Sequence, residues 1–183
     1  MPDHTEGNPC HKVHRFCHYY QRIADQKRIR LFFNSNIDLP LVWADRVITA
    51  AVLDNLLSNA TKYSKPGKSV KIQITAKNRW VECSVCDEGP GISETDQRRL
   101  FEPGSQLTPK PTGGEPSTGY GLAVAKEYIE SLGGSIWCES TLGKGSCFKF
   151  RLPRYKGNNC EESEPRDELN AQIREGDKIV KPA

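Results

Sequence analysis

Asp87-Glu88-Gly89-Pro90-Gly91-Ile92 is the stretch on which the reading of this chain turns. A lone carboxylate leads into a glycine turn there, and the missing Cβ atoms let the backbone and a flat ligand approach closely. Taken alone, the string reads equally well as a plain acidic turn. It gains weight from its neighbours. An asparagine-rich segment, Asp54-Asn55-Leu56-Leu57-Ser58-Asn59-Ala60-Thr61-Lys62-Tyr63, precedes it, and Gly119-Tyr120-Gly121-Leu122 follows it at the opening of a helical pattern.

The periodicity around these strings predicts alternating sheet and helix. Ile29 to Asn34 reads as a strand, and Pro40-Leu41-Val42-Trp43 as a short extended piece. A helix starts near Asp45 and runs to about Tyr63, where Ser64-Lys65-Pro66-Gly67 stops it. Val70 to Ala76 and Trp80 to Cys86 form a hairpin, with Val70, Ile72 and Ile74 alternating with polar neighbours. A short helix is expected near Glu94 to Leu100. Residues 101–118 carry four prolines and three glycines and are too broken for regular structure, and a loop of that length in a compact domain is usually functional or disordered. Leu122, Ala125, Ile129 and Leu132 make one stripe of a helix that Gly133-Gly134 ends, and strands follow over Ser135 to Glu139 and Ser146 to Leu152.

Composition sets the outer bounds. The 183 residues, 36% hydrophobic and 27% charged, suit one globular domain with extensions. A formal net charge of +3 without a basic block calls for neither a nucleic-acid nor a membrane surface. No apolar run approaches the ~18 residues of a membrane helix, and Asp3, His4 and Glu6 stand where a signal peptide would be apolar. The chain is therefore expected in the cytoplasm, including as the cytoplasmic part of a membrane-bound sensor. Cys83 and Cys86 lie three apart on a strand and point to opposite faces, which argues against zinc; Cys138 and Cys147 read as core fillers, and all seven cysteines as reduced thiols. Residues 1–28 are expected to be a helical linker, 29–153 the domain, and 154–183 a polar tail with clustered acids.

Three local readings carry chemistry. Asn55, Asn59 and Lys62 fall at i, i+4 and i+7, so they project from one helix face while Leu53, Leu57 and Ala60 pack elsewhere. That face suits a Mg²⁺ held by the Asn59 carbonyl oxygen together with nucleotide phosphates, with charge added by Lys62; on its own it also reads as a solvated face. Asp87 suits the exocyclic amine of adenine, which guanine lacks at that position. The turn at 119–122 would aim free N–H groups of a helix N-terminus at phosphates, although glycine before a helix is common.

The order of these features makes the resemblance specific. Leu53 to Ser64, Asp87 to Ile92, Leu100 to Pro103, Gly119 to Leu122 and Gly143-Lys144-Gly145-Ser146 resemble the N, G1, F, G2 and G3 boxes of the catalytic ATP-binding domain of sensor histidine kinases, over about Ile29 to Pro153. The resemblance implies an α+β fold, the two-layer Bergerat sandwich, with a mixed sheet packed on helices and a mobile ATP lid. It implies ATP and Mg²⁺ as ligands and Asn55, Asn59 and Lys62 as the catalytic set, with Asn59 on the metal. Asp87 would bind adenine, Gly89 and Gly91 shape its pocket, Tyr63 flank the base, and Gly119 and Gly121 cradle phosphates. Ile92, Phe101, Thr118, Tyr120 and Leu122 join the nucleotide-binding set, and Lys110 would be carried to the phosphate tail by the lid at 101–118.

Gyrase, Hsp90 and their relatives carry Glu four residues before the metal-binding Asn, where this chain has Asn55. Without that carboxylate there is no evident base to activate water, whereas an imidazole is itself nucleophilic. The neighbouring Asp54 is turned ~100° away from that face. The resemblance thus favours transfer of the γ-phosphoryl to histidine over hydrolysis. None of His4, His11, His14 and His18 has the His-Glu-x-x-x-Pro setting of an acceptor, so the partners expected are a histidine-containing dimerisation domain and, downstream, a response regulator. A non-catalytic ATP- or partner-binding module of the same fold is the alternative.

Overall fold

A computed structural model describes residues 19–35 and 46–154. Helix α1 occupies residues 19–26, followed by strand β1 (Arg30–Ser35), helix α2 (Arg46–Tyr63) and strands β2 (Ser69–Lys77) and β3 (Trp80–Asp87). Helices α3 (Glu94–Arg98) and α4 (Gly121–Ser131) and strands β4 (Ser135–Thr141) and β5 (Gly145–Pro153) complete it. The expected extended piece at 40–43, residues 1–18 of the expected helical linker with His4, His11, His14 and His18, and the tail beyond Arg154 lie outside the described residues.

The five strands form one mixed sheet in the order β1-β2-β3-β5-β4, with β1 parallel to β2 and the other pairs antiparallel. Alternation decides which face is covered. Val70, Ile72 and Ile74 of β2, Val81, Cys83 and Val85 of β3, and Phe148, Phe150 and Leu152 of β5 are buried on one face, because successive strand residues point to opposite sides. Helix α2 covers that face with Val52, Leu53, Leu56, Leu57 and Ala60, and α4 with Ala125 and Ile129. The expected two-layer α+β architecture is what is found.

One expectation is overturned. Cys86 and Cys147 are joined in a disulfide, where the sequence reading had all seven cysteines reduced and Cys147 in the core. The two residues sit directly opposite each other on antiparallel β3 and β5, on the face away from the helices. Nothing local in the sequence makes β3 and β5 neighbours, so the pairing is invisible until the strand order is known. Cys138 takes no part in that bond and packs against the core as expected.

The turn that carries Asp87 is pinned to the β4–β5 hairpin. The Gly143 N–H donates to the Pro90 carbonyl at 2.7 Å, the Ile92 N–H to Ser140 Oγ at 2.8 Å, and Gln97 Nε2 to the Ile92 and Ser140 carbonyls. Glu88 is tied back to β2, accepting from the Ser69 N–H at 2.7 Å and hydroxyl at 2.6 Å. Gly91 has φ +69°, and a Cβ there would overlap the Thr141 carbonyl oxygen. Gly91→Ala is therefore expected to lower unfolding stability by on the order of 2–4 kcal/mol, the left-handed backbone and the clash adding together. Urea unfolding followed by circular dichroism measures this.

Candidate nucleotide site

A cavity of about 550 Å³ lies between α2, the Asp87 turn, the segment 105–118 and the start of α4. Its volume falls in the range of small-molecule sites. Helix α2 contributes Asn55, Asn59, Lys62 and Tyr63, and the turn contributes Asp87, Gly91 and Ile92. Lys110, Thr118, Gly119, Gly121 and Leu122 close the far side.

Three of the expected residues stand off the wall. Gly89 works through Asp87, donating its N–H to Asp87 Oδ1 at 2.8 Å. Phe101 packs against the core. Tyr120 is 56% exposed, with its ring beside Gly104.

Asp87 is the electrostatic focus. Burial pushes its carboxyl up to about 6, against hydrogen bonds from the backbone of Gly89 and Ser146 that act downward. A carboxylate held half-desolvated at a cavity wall is poised to accept from a ligand's N–H. Nearby, burial and then the Asp87 charge push the Cys138 thiol up to about 12, so this cysteine is not a reactive thiolate at neutral pH.

On α2, Asn59 Nδ2 donates to Asn55 Oδ1 at 3.1 Å. One of the two amide protons is used inside the pair, which fixes the side chain, and its carbonyl oxygen is a hard donor of the kind Mg²⁺ takes. Asp54, expected to turn away from that face, also lines the cavity, but it is engaged: the Tyr20 hydroxyl donates to its carboxylate at 2.8 Å and its backbone carbonyl at 3.0 Å. Burial, followed by the Asp54 hydrogen bond and charge, drives the Tyr20 phenol far above its usual range, so Tyr20 stays a donor.

At the far end, α4 begins at Gly121 with no side-chain cap, so its first N–H groups have no partner within the helix. Gly119 has φ +74°, and a Cβ on Gly121 would overlap the Asn55 amide. The backbone can come this close to α2 only because there is no side chain. The cradle, the desolvated Asp87 and the asparagine oxygen together fit a nucleotide with its phosphates and a divalent cation. Gly121→Ala is expected to displace Asn55 and weaken ADP at least about tenfold by calorimetry, with the far-ultraviolet dichroism unchanged.

The sequence reading missed several wall residues. Ser105, Leu107, Pro116 and Ser117 line the cavity, but they belong to a segment without period; Leu100 lines it too, from the start of a quoted box. Ser146 and Phe148 also line it; Ser146 lay inside a quoted glycine box, and its place opposite Asp87 follows only from the β3–β5 register.

An α+β sandwich with a cavity built for a phosphorylated, amine-bearing ligand defines a nucleotide-binding domain. Comparison with known proteins narrows the class: the profile described as histidine kinase-, DNA gyrase B-, and HSP90-like ATPase matches residues 44–156, and the chain belongs to that family. Within it, the chain is homologous to the catalytic domains of sensor histidine kinases. Adaptive-response sensory kinase SasA of Prochlorococcus marinus strain AS9601 is 41% identical over 126 residues, 68% of this chain and 34% of the relative. The chain thus spans about a third of the length of such curated relatives.

The solved catalytic domain of histidine kinase ThkA aligns with a TM-score of 0.71 at 28% identity, covering 82% of this chain and 95% of that one. ThkA in complex with the response regulator protein TrrA gives a TM-score of 0.68 at 26% identity, over 82% of this chain and 42% of that one. Full-length ShkA in complex with AMPPNP gives 0.69 at 26% identity, covering 80% and 30%. Among the described residues, no helix is long and apolar enough to cross a membrane.

Proposed function

We propose that this chain is the ATP-binding catalytic domain of a sensor histidine kinase, presenting the γ-phosphoryl of ATP to a histidine on a dimerisation domain. The observation that carries the reading is Asp87, a carboxylate half-desolvated in the wall of a cavity whose other end is an uncapped helix N-terminus. Asp87 accepts from the exocyclic amine of adenine, Gly91 and Ile92 pack at the base, and Tyr63 flanks it. The free N–H groups of α4 and the side chains of Lys62 and Lys110 hold the phosphates. Asn59 is the protein's ligand to Mg²⁺, with Asn55 fixing its orientation; Mg²⁺ supplies charge neutralisation on the phosphate oxygens.

In transfer, the lone pair of an imidazole nitrogen forms the new N–P bond as the bond from the γ-phosphorus to the bridging oxygen breaks, and ADP leaves. This domain contributes positioning and charge stabilisation. The place four residues before Asn59 holds the amide of Asn55, and the adjacent carboxylate of Asp54 is held by Tyr20. That arrangement supports an acceptor that needs no base and disfavours hydrolysis. The ShkA–AMPPNP and ThkA–TrrA structures support ATP as the ligand and a response regulator as the downstream partner. We place the domain in the cytoplasm on the same reading.

Calorimetric titration with ADP and AMPPNP, with and without Mg²⁺, tests this, with GTP as the control. Adenine-selective binding strengthened by Mg²⁺ is expected; equal affinity for GTP, or no binding, would sink the assignment.

A further inference from the structure

The segment 101–118 forms no strand or helix, yet it is fastened at a defined place. The Thr112 N–H donates to the Lys62 carbonyl at 2.8 Å, and its hydroxyl donates to the carbonyls of Lys62 and Ser64 at 2.9 and 3.0 Å. Lys62 Nζ reaches the Pro116 carbonyl at 3.4 Å. These contacts seat the segment on the C-terminal end of α2, where carbonyls lack helical partners.

A second fastening comes from the far end of the chain. Lys27, in the turn that ends α1, donates to the Thr61 carbonyl at 2.9 Å, to the Lys62 carbonyl at 3.4 Å and to Glu115 Oε1 at 2.6 Å. The Lys27 and Glu115 side chains are 20% and 30% exposed, so the pair is only partly screened by water. Among the described residues it is the ion pair that joins 101–118 to another element, since Arg99–Glu102 is local and the other two lie on α4 and between β4 and β5. The other carboxylate oxygen of Glu115 accepts from the Gly113 N–H at 3.0 Å. Desolvation acts upward on Glu115, but the Lys27 hydrogen bond and charge and the backbone donors hold its carboxyl below the usual range.

Helix α1 is itself packed on the core and tied to α2. Tyr20 and Ala24 are buried in the core, and Tyr20 bonds Asp54 on the third turn of α2. Lys27 therefore sits at a point fixed by α1, and Glu115 sits one residue before Pro116, Ser117 and Thr118, which line the cavity.

We propose that Lys27 is a positioning residue for the nucleotide cavity: it clasps Glu115, so the placement of cavity-lining residues 116–118 depends on where α1 stands against α2. A shift of α1 would break the clasp, release the segment and speed nucleotide exchange. The link to nucleotide exchange rests on the function proposed above; the clasp does not.

The test uses the full chain and three variants: Glu115→Gln, Lys27→Met and the double variant. Glu115→Gln leaves Lys27 on the α2 carbonyls and so isolates the contact to the segment. Amide hydrogen exchange in the nucleotide-free protein is expected to rise about 3- to 10-fold over 112–118 in Glu115→Gln, with exchange in α2 unchanged. The double variant should exchange no faster there than Lys27→Met, because both changes break one contact. ADP dissociation should accelerate by a similar factor. Unchanged exchange over 112–118 in Glu115→Gln, or additive effects in the double variant, would overturn the proposal. Exchange without nucleotide reads the clasp whether or not ADP binds, so failure of the clasp and failure of the nucleotide reading are distinct results.

Discussion

Asp87→Asn weakens ADP and ATP by at least about 10- to 100-fold, while the apo protein unfolds at the same temperature or higher at neutral pH. Both effects come from one cause. The carboxylate of Asp87 is charged at pH 7 in a site whose burial raises its pKa from 3.8 to about 6. The charge strengthens the hydrogen bond to an amine donor, and its loss removes a contact worth ~1.5–3 kcal/mol. The same charge burdens the empty fold. A folded pKa above the unfolded one makes the native state bind more protons between about pH 4 and 6, so the stability contribution is complete below about pH 4 and is lost as pH rises through about 6. An amide does not pay that cost.

The pH profile separates the two roles. As pH falls from 7 to 5, the apo parent chain should gain stability from this group while its affinity for ADP falls, because the protonated acid no longer accepts as an anion. Asp87→Asn should lose both dependences. Calorimetric titration and thermal unfolding at pH 5, 6, 7 and 8 measure them. A parent chain whose ADP affinity is flat across this range would remove Asp87 from the base-binding role, and unfolding of Asp87→Asn at 25 °C would make it a structural residue, its bond to the Gly89 N–H holding the turn.

Asn59→Ala abolishes the part of nucleotide affinity that depends on Mg²⁺. Affinities with and without the ion should come within about twofold of each other, and transfer to an added dimerisation domain should fall below detection. Asn59 is half-buried at the cavity wall, and its side-chain partner is Asn55 rather than a core group. The melting temperature of the apo protein should accordingly move by no more than a few degrees, as for a residue whose truncation opens no core void. Asn59→Asp adds a negative charge beside the phosphates and should disturb the same readout. Calorimetry with and without Mg²⁺ gives the first measurement, and a phosphotransfer assay the second. A large drop in melting temperature, or an unchanged response to Mg²⁺, would move Asn59 from the metal to the scaffold.

Most of the elements were legible because their signals are local. The alternation of Val70, Ile72 and Ile74 predicts β2 to within a residue at either end, and the stripe through Ala125 and Ile129 predicts α4. Four of the residues at the Asp87 end of the cavity, Tyr63, Asp87, Gly91 and Ile92, are legible in the strings that contain them. Phe101 was placed at the site because it belongs to a quoted box, yet its ring goes to the core. A box says which residues recur at a spacing; where each side chain points depends on what the fold leaves room for.

What the sequence by itself determined is the inventory: five strands, the long helix with its asparagine face, the glycine turns that bring backbone close, and a segment at 101–118 with no period of its own. These follow from spacing along the chain, which is complete in a single sequence. Only the tertiary structure decided the pairings: β3 beside β5, and with it Cys86 bonded to Cys147 and Ser146 opposite Asp87; Tyr20 on Asp54; and Lys27 on Glu115 across 88 residues. Such contacts depend on strand order and on how far intervening chain travels before it returns, and neither leaves a mark at either end of the pair.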